Sequence, residues 1–512
     1  MVLRFGGKDK QFSANKKQLA MYFLPFAHFF VTLQPISKVT FMQDNRTKEL
    51  GTRPIGQLLM KYAVPAVVAM TASSLYNMVD RIFIGHIPEV GTLSLGGLAV
   101  TFPIMNLSAA FGAMVGVGSS TMISIKLGQK DYGTAERVLG NLVSLNVIIG
   151  ILVGVLGLVF IDPLLLFFGA SENTLQYAHD YMFIILLGNV VTHLYLGLNS
   201  ALRSTGHPHV AMSATIATVV INAILDPLFI FSFGMGIKGA AIATVLAQIV
   251  ALIYVASVLS NKRDVIHLHS GIYGLRKRIV KSILGIGMSP FAMQLCACLV
   301  VILINKGLTK HGGDVAIAAY GIINSVTFLF IMVVLGICQG MQPIAGFNFG
   351  AQLPDRVNEV LKKAIILATI IMCIDFVIFV FFPEYPVMLF TTDPELAQLS
   401  ERGMRIVCLL SPIVGFQIVT GNFFQSIGMA KRSIFMSVSR QLVFLVPFLL
   451  IFPEIWGTDG VWMSITAADG VASLTAGFLL WQFYRNKSMT HAPRTRMGST
   501  LKRVFFHNRV TP

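Results

Sequence analysis

Apolar residues occur along this chain in long runs that are separated by short polar connections. Each run approaches the ~20 residues that an α-helix needs to cross a bilayer, and none alternates in the manner of a half-buried strand. The pattern therefore predicts an all-α polytopic membrane protein with twelve transmembrane helices. The predicted segments are 58–84, 97–125, 138–160, 178–202, 210–233, 239–260, 282–305, 315–345, 364–382, 402–426, 434–452 and 460–484.

Composition narrows the class of protein further. Of the 512 residues, 55% are hydrophobic and 12% are charged, whereas a soluble domain carries about 25% charged residues. Together with a mean hydropathy of +0.73, these values exclude a soluble enzyme, a coiled coil and a disordered chain. The five cysteines all fall inside apolar runs, so we interpret them as small hydrophobic residues rather than metal ligands or disulfide partners.

Lys and Arg residues are distributed unevenly between the connections. Counted from the N-terminal stretch, alternate connections hold 31 of them, with the C-terminal stretch included. The other side holds four: three in the remaining connections, and Arg81 at the end of the first segment. Because cytoplasmic loops carry the excess of positive charge, we predict a multi-pass membrane protein with both termini cytoplasmic. The formal net charge of +16 is thus a topology signal, and we expect the lipid bilayer, not nucleic acid, as a partner.

The connection 261–281 divides the membrane region into halves of equal length, 58–260 and 282–484. Several residues recur in the second half after 222 positions: Gly118 as Gly340, Gly128 as Gly350, Ser204 as Ser426 and Gly206 as Gly428. Because each half holds six segments, the two halves share one orientation. We predict two pseudo-symmetric six-helix bundles, which is an architecture typical of transporters.

Two basic stretches flank the bundles. Residues 1–57 are predicted to form a cytoplasmic N-terminal extension, and 485–512 a cytoplasmic tail. Met42 is an alternative translation start, in which case residues 1–41 are not made. We assign no function to either stretch, and we expect a monomer.

Ionisable side chains inside apolar segments are costly and point to function. Asp80 lies near the end of the first segment, and Asp226 lies in the fifth, four residues after Asn222. A spacing of four places Asn222 and Asp226 on one helix face, where their oxygens suit H⁺ or Na⁺. Two alternatives stay open: Asp80 pairs with Arg81 at the membrane surface, and the Asn222–Asp226 pair only holds helices together.

Other residues in the segments are weaker candidates. Thr244 in the sixth segment is surrounded by small residues, although a bond to its own helix is an equally good interpretation. Pro65 and Pro227 each remove a backbone hydrogen bond and predict points at which helices bend. In the second half, the candidate polar groups are Gln294, Asp375, Gln417 and Asp469, and we expect the two acids to pair with Arg402, Arg405 or Arg440.

Motifs of enzymes are absent from the sequence. There is no GxxxxGK[ST] phosphate-binding loop, no HExxH pair and no GxSxG nucleophile turn. We therefore expect a protein without catalytic residues or an organic cofactor.

Five ordered stretches resemble the multidrug and toxic compound extrusion (MATE) family, in its bacterial MepA-like and DinF-like branches. They are YNMVDRIFIG, GVGSSTMISIKLGQKD, LNSALRSTGHP, INAILDPLFIF and GIKGAAIATVLAQ. The resemblance covers about residues 55–484. It implies a secondary active antiporter of the bacterial cytoplasmic membrane that exports hydrophobic or cationic compounds in exchange for H⁺ or Na⁺ by alternating access.

The resemblance also implies a site for H⁺ or Na⁺ in the first half, and we expect no other metal site. The family's acidic residue of the first segment falls on Asp80, its Asn–xxx–Asp pair on Asn222 and Asp226, and its Thr on Thr244. Another branch uses an acid in the seventh segment, but that stretch here is PFAMQLCACLVV. A different hypothesis is a flippase for lipid-linked saccharides, whose anionic substrates would favour cationic rather than acidic groups in the cavity.

Overall fold

The computed structural model describes residues 49–391 and 393–485. The predicted N-terminal extension, up to residue 48, and the predicted tail, from residue 486, lie outside the described residues.

Regular structure in the described ranges is entirely helical. The first half contains α1 (Ile55–Gly85), α2 (Gly91–Gly128), α3 (Tyr132–Val159), α4 (Ile161–Phe167), α5 (Glu172–Leu187), α6 (Asn189–Ser204), α7 (Pro208–Pro227) and α8 (Ile237–Leu259). The second half contains α9 (Lys277–Gly350), α10 (Pro354–Phe376), α11 (Glu384–Met388), α12 (Pro394–Val407), α13 (Ser411–Ser426), α14 (Ala430–Val438) and α15 (Val446–Arg485). Short irregular turns join some of these helices: π-helical turns at Leu228–Ser232, Val377–Phe381 and Ser439–Leu445, and a 3₁₀ turn at Cys408–Leu410.

The helices supply the twelve predicted spans once their breaks are counted. Helix α9 has 74 residues, about 110 Å if straight, which is several times the thickness of a bilayer. It breaks at Gly313, whose φ of 60° is left-handed, and α15 breaks in the same way at Gly457. The chain reverses direction at the second break, as the surroundings of Gly460 show. A Cβ on Gly460 would lie only 2.2 Å from the Phe452 carbonyl oxygen, eight residues earlier in the chain. Helices α5 and α6 form one span bent by 56°.

Several helices extend beyond the apolar segments that predicted them. Helix α10 begins at Pro354 rather than at residue 364, and α9 begins at Lys277, inside the predicted linker 261–281. The short helices α4 and α11 were not predicted. An apolar run measures only the length inside hydrocarbon, whereas backbone hydrogen bonds continue the helix into water until a residue such as Gly313 ends it.

The sequence repeat reappears in the packing as a pair of helix crossings. A Cβ on Gly128 of α2 would lie 2.0 Å from the Phe347 carbonyl oxygen, and a Cβ on Gly350 of α9 would lie 2.1 Å from the Ile125 carbonyl oxygen. Phe347 and Ile125 are themselves 222 positions apart. The two helices therefore cross through the same contact made twice, once from each half of the chain.

Further close contacts extend this crossing into a seam between the halves. Gly118 of α2 packs on the Ile283 carbonyl, and Gly340 of α9 packs on the backbone of Ala63 in α1. The Gln342 side chain donates to the Ser120 and Thr121 hydroxyls at 2.9 and 2.8 Å. We call this surface the inter-lobe seam, and it lies toward the end of the bundles that carries the basic connections, here called the basic end.

Helix α1 belongs to both halves. Its basic-end part (Leu58, Leu59 and Tyr62) is buried in one core cluster with α9, α10 and α13 of the second half. Its opposite end contributes Ile84 to a cluster of the first half. The helix thus connects the second half to the place in the first half where the acidic residues lie.

Candidate ion-binding site

The predicted acidic residues of the first half meet where α1 packs on α7. Asp80 lies one turn before the end of α1, and Asp226 lies directly before Pro227 at the end of α7. Both are buried, with 7% of Asp80 and none of Asp226 exposed, and Asn222 is buried beside them. Asn222 and Asp226 are four residues apart, which predicted a shared helix face, and in the structure their side chains are in contact.

A chain of hydrogen bonds orders the site. The Tyr76 hydroxyl donates to Asn222 Oδ1 at 2.6 Å, and Asn222 Nδ2 donates to Asp226 Oδ1 at 2.6 Å. Tyr76 precedes Asp80 by four residues, so both side chains leave α1 on the same face. The amide of Asn222 is therefore fixed in one orientation, with its N–H directed at the carboxyl group.

The two carboxyl groups lie within hydrogen-bonding reach of each other. Each keeps one buried oxygen, Asp80 Oδ1 and Asp226 Oδ2, without a regular hydrogen-bond partner. An ionised carboxylate only accepts hydrogen bonds. A bond between Asp80 and Asp226 therefore requires a proton on one of them, and a cation between them would meet the same need for positive charge.

Arg81 does not neutralise this cluster by an ion pair. Its guanidinium lies over the Phe102 ring, 5.4 Å from the centroid, and the side chain is exposed. No salt bridge joins it to Asp80 within 4.0 Å in the described structure. Asp80 and Arg81 therefore form no close ion pair in this structure, although the positive charge of Arg81 still acts on the Asp80 carboxyl group from a longer distance.

Thr244 makes the bond to its own helix and lies beside the tyrosines of the site. Its hydroxyl donates to the Ala240 carbonyl of its own helix at 3.0 Å. The Tyr76 and Tyr181 hydroxyls lie near the same oxygen. Tyr181, which is 2% exposed, was missed from the sequence, since α5 approaches α1 and α8 only in the folded chain; Tyr76 was missed although its spacing from Asp80 was visible.

The two prolines occupy different settings. Pro65 is buried in α1, in the stretch where Gly340 meets Ala63 and Gly336 meets Val67. Pro227 ends α7 and is followed by a π-helical turn. Pro65 thus lies at the seam, far along α1 from Asp80, whereas Pro227 lies beside the carboxyl cluster.

The candidate residues of the second half do not join this cluster. Asp469 on α15 pairs with Arg440 at 2.6 Å, as expected for one of the two acids, and Arg402 pairs with Asp459. Asp375 is fully buried on α10 without an ion pair in the described structure. Gln417 is buried on α13, and Gln294 is half-buried on α9.

A family model described as MatE matches the chain twice, over residues 65–228 and 290–451. The chain belongs to the MatE family. Each matched stretch falls within one half of the internal repeat, and the first begins at Pro65 and includes Asp80, Asn222 and Asp226. The family resemblance deduced from the sequence is thereby confirmed, as is the fold of a multi-pass helical membrane transporter.

Relatives and solved structures align with more than four fifths of the chain. The multidrug export protein MepA of Staphylococcus aureus (strain MSSA476) is 24% identical over 440 residues, which cover 86% of this chain and 96% of the relative. That of Staphylococcus haemolyticus is 25% identical, covering 87% and 97%. A MATE transporter in an outward-facing conformation superposes with a TM-score of 0.80 at 25% identity, covering 86% and 98%. A MATE protein in a bent conformation gives 0.81 at 26%, covering 87% and 98%.

Proposed function

We propose that this MatE protein is a multidrug efflux antiporter that exports hydrophobic or cationic compounds in exchange for a coupling ion. The observation that carries the proposal is the buried pair of carboxyl groups, Asp80 and Asp226, ordered by Tyr76 and Asn222. The names of its MepA relatives support drugs as the substrates. The acidic character of the cluster suits a cation or proton better than the phosphate of a lipid-linked saccharide.

The coupling ion in this proposal is H⁺. Two carboxyl groups within hydrogen-bonding reach share one proton without further ligands, whereas Na⁺, as a hard cation, favours several oxygen ligands around it. A proton bound to the two carboxyl groups removes one negative charge from the buried site, and this lowers the free-energy cost of packing α1 against α7. Loss of the proton leaves two adjacent carboxylates, whose repulsion favours separation of the two helices.

Alternating access follows from the way α1 links the halves. In this structure the inter-lobe seam closes the basic end, which we assign to the cytoplasmic side of a bacterial membrane. When the Asp80 end of α1 moves, it displaces the other end of the same helix, which packs on Gly336 and Gly340. Pro65 lies in this packed stretch and makes the helix easier to bend there. We propose that proton exchange at the cluster is transmitted to the seam through this helix.

Ethidium transport by purified protein in liposomes tests the proposal. A pH gradient and a Na⁺ gradient are imposed separately on the native protein, Asp226→Asn and the control Asp314→Asn, whose side chain is exposed. We expect the pH gradient to drive transport by the native protein and by the control, and Asp226→Asn to abolish it. Transport driven only by the Na⁺ gradient would refute H⁺ as the coupling ion. No transport under either gradient would refute the proposed antiporter function.

A further inference from the structure

Asp375 is the buried acid that the proposed first-half mechanism does not use. It lies on α10, has no exposed surface, and both of its carboxyl oxygens are buried without a hydrogen-bond partner at regular geometry. The Ser411 hydroxyl lies within reach of the carboxyl group. Moving an isolated carboxylate out of water costs many kcal/mol unless a charge compensates it, so this group requires a positive charge from some source.

The cations of the second half do not supply that charge. Arg440 forms an ion pair with Asp469, with Nε 2.6 Å from Oδ1, and Arg402 forms an ion pair with Asp459. The titratable group that faces Asp375 from the turn between α12 and α13 is the Cys408 thiol, which also faces Asp469 and contacts Thr327 of α9. The neighbourhood of Asp375 therefore holds hydroxyl and thiol groups, with one unpaired negative charge if Asp375 is ionised.

The backbone around these residues departs from regular helix in three neighbouring spans. A π-helical turn, Val377–Phe381, begins two residues after Asp375. The 3₁₀ turn Cys408–Leu410 directly precedes Ser411, and Arg440 lies in the π-helical turn Ser439–Leu445. Irregular backbone at membrane depth is tolerated where it is enclosed by protein, and such turns are frequent at functional sites. In the first half, a π-helical turn likewise follows Asp226.

The site is not a copy of the first-half cluster. At the repeat offset of 222, Asp80 and Asp226 fall on Ile302 and Phe448, and Asp375 corresponds to Val153. We infer that the second half has a proton-binding site of its own, formed by Asp375 with the Ser411 hydroxyl and the Cys408 thiol. One carboxyl group, one hydroxyl and a sulfur atom are too few oxygen ligands for a metal cation, whereas a single proton neutralises the group completely.

Infrared difference spectroscopy of the reconstituted full chain tests this site directly, because a protonated carboxyl group has a carbonyl band that a carboxylate lacks. The native-minus-Asp375→Asn spectrum at neutral pH is compared with the spectrum for Asp355→Asn, an exposed acid at the start of the same helix. We expect a carboxylic-acid band to be lost only in Asp375→Asn. A pair of carboxylate bands in its place, or no difference between the two variants, would overturn the inference.

Two further variants keep the test informative. Ser411→Ala retains the acid but removes its neighbouring hydroxyl, so the carbonyl band is expected to shift to higher frequency; an unshifted band would contradict the assignment of Ser411. In Asp226→Asn the band of Asp375 should remain, whether or not ethidium is transported. The inference thus stands or falls separately from the proposed first-half coupling.

Discussion

The inter-lobe seam makes a quantitative prediction about Gly350. Replacing Gly350 by Ala places a Cβ 2.1 Å from the Ile125 carbonyl oxygen, more than an ångström inside van der Waals contact. The clashing group is backbone in a helix, so no side-chain rotation relieves it, and α2 and α9 must separate. Overpacking of this kind costs about 1–3 kcal/mol. The cost falls only on the conformation in which the seam is closed.

That energy difference converts into a change of population. If the seam opens during transport, Gly350→Ala favours the open form by the same 1–3 kcal/mol, which is a factor of about 5–150. Gly133→Ala serves as the matched control, because a Cβ there meets nothing within 4 Å although Gly133 also lies near the basic end. Both variants receive the same Ala, so only the contact differs between them.

Cysteine accessibility measures the open population. Ser120 is 3% exposed and its hydroxyl meets Gln342 across the seam, so a cysteine at position 120, in a background free of the native cysteines, reacts with a water-soluble reagent only when the seam opens. We expect labelling at least about fivefold faster with Gly350→Ala than with Gly133→Ala. Equal rates in the two folded variants would show that the seam does not separate, and the proposed alternating access at the basic end would be wrong.

Two further predictions concern hydrogen bonds made by individual side chains. Tyr76→Phe leaves Asn222 Oδ1 without its hydrogen-bond donor, at a cost of about 1–3 kcal/mol. We expect pH-driven ethidium transport to fall several-fold in this variant and to be unaffected in the control Tyr177→Phe. Equal transport rates in the two variants would contradict the role of Tyr76. At the basic end, burial acts to raise the pKa of Asp131, but hydrogen bonds from Lys126 and Thr134 outweigh it and hold this pKa below its ordinary value of 3.8. A group whose pKa is lowered on folding stabilises the protein at pH values above its unfolded-state pKa, and this stabilisation is lost as the pH falls through its folded-state pKa. Asp131→Asn should therefore lower the thermal unfolding temperature slightly at neutral pH but not in strong acid, below both pKa values. An equal loss at both pH values would contradict this origin.

Much of the architecture follows from local patterns along the chain. The apolar runs predicted the spans because a bilayer requires about 20 apolar residues in each helix. The offset of 222 between Gly128 and Gly350 predicted a repeat, and both glycines make the same contact in the folded protein. The spacing of Asn222 and Asp226 similarly predicted two touching side chains, since helix geometry alone determines that pair.

Other features depend on which helices become neighbours. The sequence separates Asp80 from Asp226 by 146 residues, and nothing local requires that α1 and α7 bring them together. The same holds for Tyr181 near Thr244 and for Arg440, which could have paired with either acid of the second half but pairs with Asp469. Local spacing and hydropathy determined the spans, the repeat and one helix-face pair of the site. Only tertiary packing decided that α1 joins the two halves, that the carboxyl groups of Asp80 and Asp226 meet, and that Asp375 is left without a cation, because contacts between distant helices are not encoded in any short stretch of the chain.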